Sequence, residues 1–499
     1  MIYEGRPLYS RYAPKARAEQ TAEAFTPSPH SICLLPSPLL GYGVEIIRKK
    51  CANQSKCFFF CVEVDKALFE LTTECECFFF DESRFEKSLT DLINRIRAPL
   101  SIDRYRKVFV PVLNNAYFLH KDLYDRIAFA VQKEIDFFWK NRSVLLFFKD
   151  LPFRNIFRNL KIGLDDSILE KENTDYFVCG AGESLEDVLP FLSAQRTFFR
   201  IVAADTALPV LLKSGIIPDF VVVLESQSAN ISDFIYGIPQ KTVYITEISS
   251  APSANRHFRR KKPIQIPFTQ AACADRLPQH FAPFPQTGSV GVAALTAAFE
   301  LTSGKIFIAG LDFCFSPGKN HARGTESHES LLRQHSRFSG FENGFASATT
   351  FAESVCGRRV AVSPALLNDA SLIRTEAAHW KRVYDCRTDG LPLGLPRIST
   401  KEISLPKKPL KPLNVSAVPE VPVSESAVFF ENETVLLATA ENELAAGNLS
   451  DETAREIDYL HRFFPDYPPD HRNRSYEVRV AFFVKKFQRL LKKINRRPI

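Results

Sequence analysis

Short apolar runs alternate with stretches of helical period over most of this chain. Between residues 30 and 165 the order is "HSICLLP", "GVEIIRKKC", "CFFFCVEVD", then "KVFVPVL" and "SVLLFFKDLP". Strand-like runs separated by helical patterns predict an α/β unit with parallel strands, here a Rossmann-like N-terminal domain over 30–165. From 166 to 385 the alternation sharpens. "DYFVCG", "FRIVAAD", "DFVVVLE", "KTVYIT" and "KIFIAGLD" each close on Gly, Asp, Glu or Thr. Between them lie helical stretches such as "TALPVLLKSG" and "VGVAALTAAFELTSG", the second ended by Gly304. Polar residues at strand ends suit a mainly parallel sheet whose carboxyl edge carries a site.

Beyond 385 the pattern breaks. The prolines of "LPLGLPR" and "LPKKPLKPLNVSAVPEVP" predict an extended linker or surface strap over 386–430. A helical region follows over 431–499. In it Val480, Phe483, Val484, Phe487, Leu490, Leu491 and Ile494 form one apolar stripe at 3.6 spacing. Residues 1–29 read as a lead-in without a hydrophobic signal core.

Composition narrows the class. With 45% apolar and 24% charged residues, the 499-residue chain reads as globular, in two to three domains. No run reaches the ~18–20 uncharged apolar residues of a membrane span. Eleven scattered cysteines without a CxxC predict reduced thiols and a cytoplasmic setting. The net charge of +7 comes from the tail, where residues 471–499 hold ten Lys/Arg against Glu477 alone. The body is slightly acidic, which argues against nucleic acid as a partner. The basic C-terminal helix is expected to pack its stripe on a neighbour; its polar face is solvated or meets a partner or membrane surface.

Candidate chemistry begins at "YFVCGAGESLEDV", residues 176–188. Gly180 and Gly182 end an apolar run, and Ser184 opens a helix that Asp187 would complete as a capping box. Bare backbone before a helix start suits an anion such as a phosphate; a tight turn without ligand is the plain alternative. Asp205 and Glu225 close two further strands and could hold ribose hydroxyls, a base or a metal; Asp219 reads as a turn tie. Gly288 and Ser289 open a small-residue helix, a second possible anion site. Asp312 follows the strand ending at Gly310. His321, His328 and His335 come soon after; one could serve as general base or acid, or His328 and His335 could share one exposed helix face. In the first region the acids of Glu63-Val-Asp65, at a strand end, could bind a ribose.

Five blocks, "CGAGESL", "AADTAL", "GIIPDFVV", "GSVGVAAL" and "IFIAGLDF…H", over roughly 170–345, resemble in order and spacing a domain shared by two groups. These are the motility-associated factor (Maf) glycosyltransferases and the 6-hydroxymethylpterin diphosphokinase MptE-like proteins. The central domain is also similar to Campylobacter-type bacterial sialyltransferases. The resemblance implies a Rossmann-like N-terminal domain, a central transferase domain and a helical C-terminal part. It implies that Gly180, Gly182, Ser184, Asp205, Gly288 and Ser289 bind the nucleotide, and that Asp312, His321 and Glu225 are catalytic. Two positions depart from the family pattern: Glu183 stands where proline is usual, and Glu225 where aspartate is. The activity implied is transfer of a nonulosonic (sialic-like) acid from a CMP-activated donor to Ser/Thr of flagellin, in the cytoplasm, with no metal or other cofactor. One alternative is a diphosphokinase, needing Mg²⁺ held by Asp205, Glu225 and Asp312. The other is a non-catalytic flagellin-binding scaffold.

Overall fold

In the first part of the chain, the apolar run Ser31–Pro36 (β1) is buried along its whole length. It pairs in parallel with Cys57–Glu63 (β2) on one side and Lys107–Phe109 (β4) on the other, and Cys77–Phe79 (β3) extends the sheet beyond β2. The order is therefore β3-β2-β1-β4. Helix α1 (Val44–Ala52) connects β1 to β2, α2 (Phe85–Arg97) connects β3 to β4, and α3 (Lys121–Phe148) follows β4. Ile32, Leu34, Val62, Leu92, Tyr124 and Ile127 share one core. Residues 143–148, from the run "SVLLFFKDLP", belong to α3 rather than to a strand. Nor are the strand-end acids open to a ribose. Glu63 is fully buried, and its carboxylate accepts from Ser37 Oγ at 2.6 Å, Tyr124 OH at 2.8 Å and the Val64 and Asp65 amides. Asp65 caps the helix Lys66–Glu70 and accepts from Tyr3 OH.

This computed structural model describes residues 1–54, 57–72, 76–97, 105–162, 167–168, 171–261, 264–269, 277, 282–283, 287–316, 318–338, 340, 350–377, 380–413, 416–417, 423–464 and 474–496. Two compact units divide the chain, Met1–Phe147 and Phe148–Ile499. Helix α4 (Leu151–Ile162) thus stands in the second unit, not in an N-terminal domain reaching 165. Its amides explain why. Asn155 Nδ2 donates to the carbonyls of Ser226 and Ser249, and Asn159 Nδ2 to those of Ile248 and Ser250, latching the helix to loops of the central sheet.

That sheet has eight strands, all parallel: β5 (Tyr176–Cys179), β6 (Arg200–Ala204), β7 (Phe220–Val223), β8 (Val243–Glu247), β9 (Ile264–Thr269), β10 (Ala282–Pro283), β11 (Ile306–Ala309) and β12 (Val383–Asp385). Their order is β10-β9-β8-β7-β6-β5-β11-β12. Both faces of the central strands are covered, so β5 and β7 are apolar at every position rather than alternating. Tyr176 and Val178 point into the layer that holds helix α8 (Val290–Leu301). Phe177 and Cys179 point into the opposite layer with α5 (Leu185–Ala194) and α6 (Leu208–Lys213). The chain runs outward from β5 to β10, returns through α8, and continues on the other side of β5 with β11. The direction of travel reverses between β5 and β11, and the carboxyl ends of such a strand pair open a crevice in parallel α/β sheets.

The proline-containing stretch after β12 is not a free linker. Leu391, Leu393 and Leu395 join the core beside α8, and Arg387 is buried with its guanidinium on Asp385 at 2.7 Å. Part of the stretch, 414–415 and 418–422, lies outside the described residues. Helix α11 (Val423–Ala445) then packs with α12 (Arg474–Arg496), which also contacts α4. Val480, Val484, Phe487, Leu491 and Ile494 are buried, and the Phe157 and Phe487 rings meet at 5.4 Å. The basic residues Arg472 and Arg497 of the tail lie outside the described residues.

Candidate functional site

Where β5 and β11 end side by side, their two turns interlock. The Gly180 amide donates to the Ala309 carbonyl at 2.8 Å, and the Gly182 amide to the Gly310 carbonyl at 2.7 Å. A Cβ on Gly180 would stand 2.3 Å from the Gly310 oxygen, and one on Gly182 would stand 2.5 Å from the Asp312 carboxylate. These glycines serve a close approach of backbone to backbone. The expectation that their amides lie bare for a phosphate is overturned, because both amides are bonded inside the protein. Among the described residues only the Ala181 and Glu183 amides of this turn donate to no protein acceptor.

Ser184 does not cap α5, so the capping box expected with Asp187 is absent. Its amide donates to Asp312 Oδ2 at 2.8 Å, its hydroxyl donates to Asp312 Oδ1, and it accepts from the Gly310 amide at 3.1 Å. Asp312 is thus pinned at the crevice from the neighbouring strand. Burial pushes its carboxyl up to about 6, against the opposing pull of Arg387 and Ser184. Arg387 Nη1 donates to the Leu311 carbonyl at 2.7 Å, and the Leu391 amide donates to the Asp312 carbonyl. The segment after β12 therefore braces the turn from behind.

A cavity of about 330 Å³ opens on this turn. Ser184 and Asp312 line it together with Glu183, Glu186, Asp187, Cys314, Ser316, Lys319, Arg323, Arg358, Thr388, Asp389 and Gly390. Its charges are mostly paired. Lys319 Nζ lies 2.6 Å from Glu183 and 3.0 Å from Glu186. Arg358 Nε donates to Asp389 at 2.6 Å, and Thr388 Oγ1 donates to Asp187 at 2.6 Å. The exposed Arg323 guanidinium has no carboxylate partner among the described residues. Sequence reading missed Lys319, Arg323, Arg358, Thr388 and Asp389. Only the run "VYDCRTDG", a strand closing on acids and an arginine, offered a signal for the last two.

The other expected site residues stand elsewhere. Asp205, at the end of β6, is buried; it accepts from the Thr206 amide and from Asn230 Nδ2, both at 2.8 Å. Asn230 Nδ2 also reaches Asp233 at 3.3 Å. Burial first, then for Asp233 the charge of Asp205, pushes these carboxyls up to about 6 and about 8. Glu225 contributes its charge to both and accepts from the Gln227 amide at 3.0 Å. Neither Asp205 nor Glu225 lines the cavity beside Asp312. Among the described residues no three His, Cys, Asp or Glu side chains group as a metal site, so Asp205, Glu225 and Asp312 do not form the set a diphosphokinase would need.

Nor does the histidine expectation hold as stated. His321 does not line the cavity, and burial, with His328 adding, pushes its imidazole down to about 4. It is neutral at physiological pH. His328 is buried at the start of α9 (Glu326–Gln334) rather than on an exposed face with His335. Gly288 abuts Asp369, where a Cβ would stand 1.9 Å from the carboxylate, and Ser289 caps α8 through the Val292 amide at 3.4 Å. Asp219 ties its turn, accepting from the Ile201 amide at 2.8 Å and pairing with Arg196 and Arg200.

Comparison with known proteins bears on the fold. Residues 153–318 match the family described as 6-hydroxymethylpterin diphosphokinase MptE-like. An uncharacterized protein of Treponema pallidum (strain Nichols) is 27% identical over 422 residues, covering 79% of this chain and 71% of the relative. A second one from the same organism is 27% identical over 143 residues, 26% of this chain and 68% of the relative. The structure of a Maf glycosyltransferase from Magnetospirillum magneticum AMB-1 superposes with a TM-score of 0.56 at 14% identity, covering 99% of this chain and 89% of that one. Residues 153–318 are therefore similar to the MptE-like family, and the chain shares its fold with a Maf glycosyltransferase.

Proposed function

We propose that this protein is a glycosyltransferase whose chemistry takes place in the cavity between β5 and β11. The observation that carries the reading is the coincidence of a polar cavity with the one point where strand order reverses in a parallel sheet, on a fold shared with a Maf glycosyltransferase. The donor we favour is a nucleotide-activated nonulosonic acid of the CMP type, and the acceptor a Ser/Thr hydroxyl of flagellin, in the cytoplasm.

The chain's own groups suggest a division of labour. Arg323 is the cation most available to a leaving phosphate, with Lys319 and Arg358 held by carboxylates of the same cavity, and the Ala181 and Glu183 amides can add to it. Asp312, with its carboxyl near 6 and its position held by Ser184, can give or take a proton at the reacting oxygen. His321 is not assigned that role. The test is a thermal-shift screen of the full chain against CMP, UDP, GDP, ATP and CMP-N-acetylneuraminate, followed by nucleotide release from the best donor. Stabilisation by cytidine nucleotides above all others is the expected result; indifference to every nucleotide sinks the proposal.

A further inference from the structure

The cavity contains an anion of its own. Glu183 sits at the turn with its side chain about one-third exposed, and its carboxylate holds Lys319, the least exposed of the cavity's cations. Burial alone would raise that carboxyl, but Lys319 and Ser316 bring it below the ordinary range, so it is charged. Arg358 is likewise committed to Asp389. Carboxyl groups outnumber cations around the cavity, and the glycine amides that could offset them are engaged elsewhere. Among the described residues, a phosphate entering here meets one guanidinium without a carboxylate partner, that of Arg323, and the negative charge of Glu183 on the same cavity wall. Each added charge on the leaving group is opposed by Glu183 in a partly dehydrated space, where Coulomb terms exceed those in water.

We propose that Glu183 is the charge filter of this cavity: with Glu186 it neutralises Lys319, and its own charge selects leaving groups that carry one phosphate over those that carry two. Glu186 is less suited to the role, because its carboxylate also fixes the Arg323 amide at 2.8 Å and so builds the wall. The inference rests on the transferase reading of the same cavity and adds to it the residue that sets the phosphate count.

Calorimetric titration of the full-length protein with CMP and CDP tests it, these probes carrying about two and three negative charges at neutral pH. Wild type is expected to bind CMP more tightly than CDP. Glu183→Gln should improve CDP binding over CMP binding by about fivefold, the scale of one charge at close range in a partly aqueous site. That gain should shrink in high salt and vanish when Lys319→Gln is added. Equal shifts for both nucleotides, or none, with CMP binding intact in wild type, would overturn the filter while leaving the transferase reading standing. Wild-type binding of neither nucleotide would overturn both. Should Glu183→Gln lose its cooperative unfolding, Lys319→Gln alone puts the same question: it must weaken CDP more than CMP, and equal weakening overturns the filter.

Discussion

At Gly182 the function expected from the motif and the function seen in the fold part company. A glycine before a helix is equally suited to admitting a ligand and to admitting another piece of backbone. Here Asp312 occupies the space, and Gly182→Ala places a methyl 2.5 Å from its carboxylate. We expect that substitution to cost about 1–3 kcal/mol, read by chemical denaturation. Ser184→Ala should cost about as much by leaving buried Asp312 with one fewer donor.

The raised carboxyls make a signed prediction. Asp205 has a folded value of about 6 against 3.8 unfolded, so it contributes most below the unfolded value, and that contribution is lost as pH rises toward the folded one. Asp205→Asn should therefore gain on wild type by roughly 2 kcal/mol between pH 4 and 6, measured as the difference in unfolding free energy. The variant is sterically reasonable, because Asn230 can turn its unpartnered Oδ1 toward the new amide. In the same spirit, Asp312→Asn should abolish the limb near pH 6 in donor hydrolysis, whereas His321→Gln should leave that limb in place.

At the scale of elements, the segment after β12 was the largest surprise. Its prolines suggest a tether, yet every second residue from Leu391 to Leu395 is a buried leucine, an alternation visible in the sequence itself. Leu393→Ala should destabilise the second unit by about 2–5 kcal/mol, which a linker residue would not do; a denaturation midpoint within error of wild type would contradict the packing. Helix α4 shows the converse problem. Phe153, Ile156, Phe157 and Leu160 recur at helical spacing and are buried, but nothing local says which sheet its two asparagines latch. Helix α12 was easier, because a stripe over that length has to be covered and the hydrophobic period names the residues that need cover.

For the molecule as a whole, residues 148–499 should unfold cooperatively in calorimetry when expressed alone, since the sheet, its covering helices and the cavity all lie within that unit. A chain without a sharp transition would contradict it. The sequence by itself determined the parallel α/β class, the positions of β1, β2, β4 to β8 and β11, and the presence of Asp312 at a strand end, because burial on both faces and the helical period are written in neighbouring residues. Only the tertiary structure decided that β5 and β11 lie side by side, that the glycines face each other, and that Lys319, Arg358 and Asp389 converge on one cavity. Those outcomes depend on strand order and on contacts between residues a hundred or more positions apart, and no local pattern encodes either.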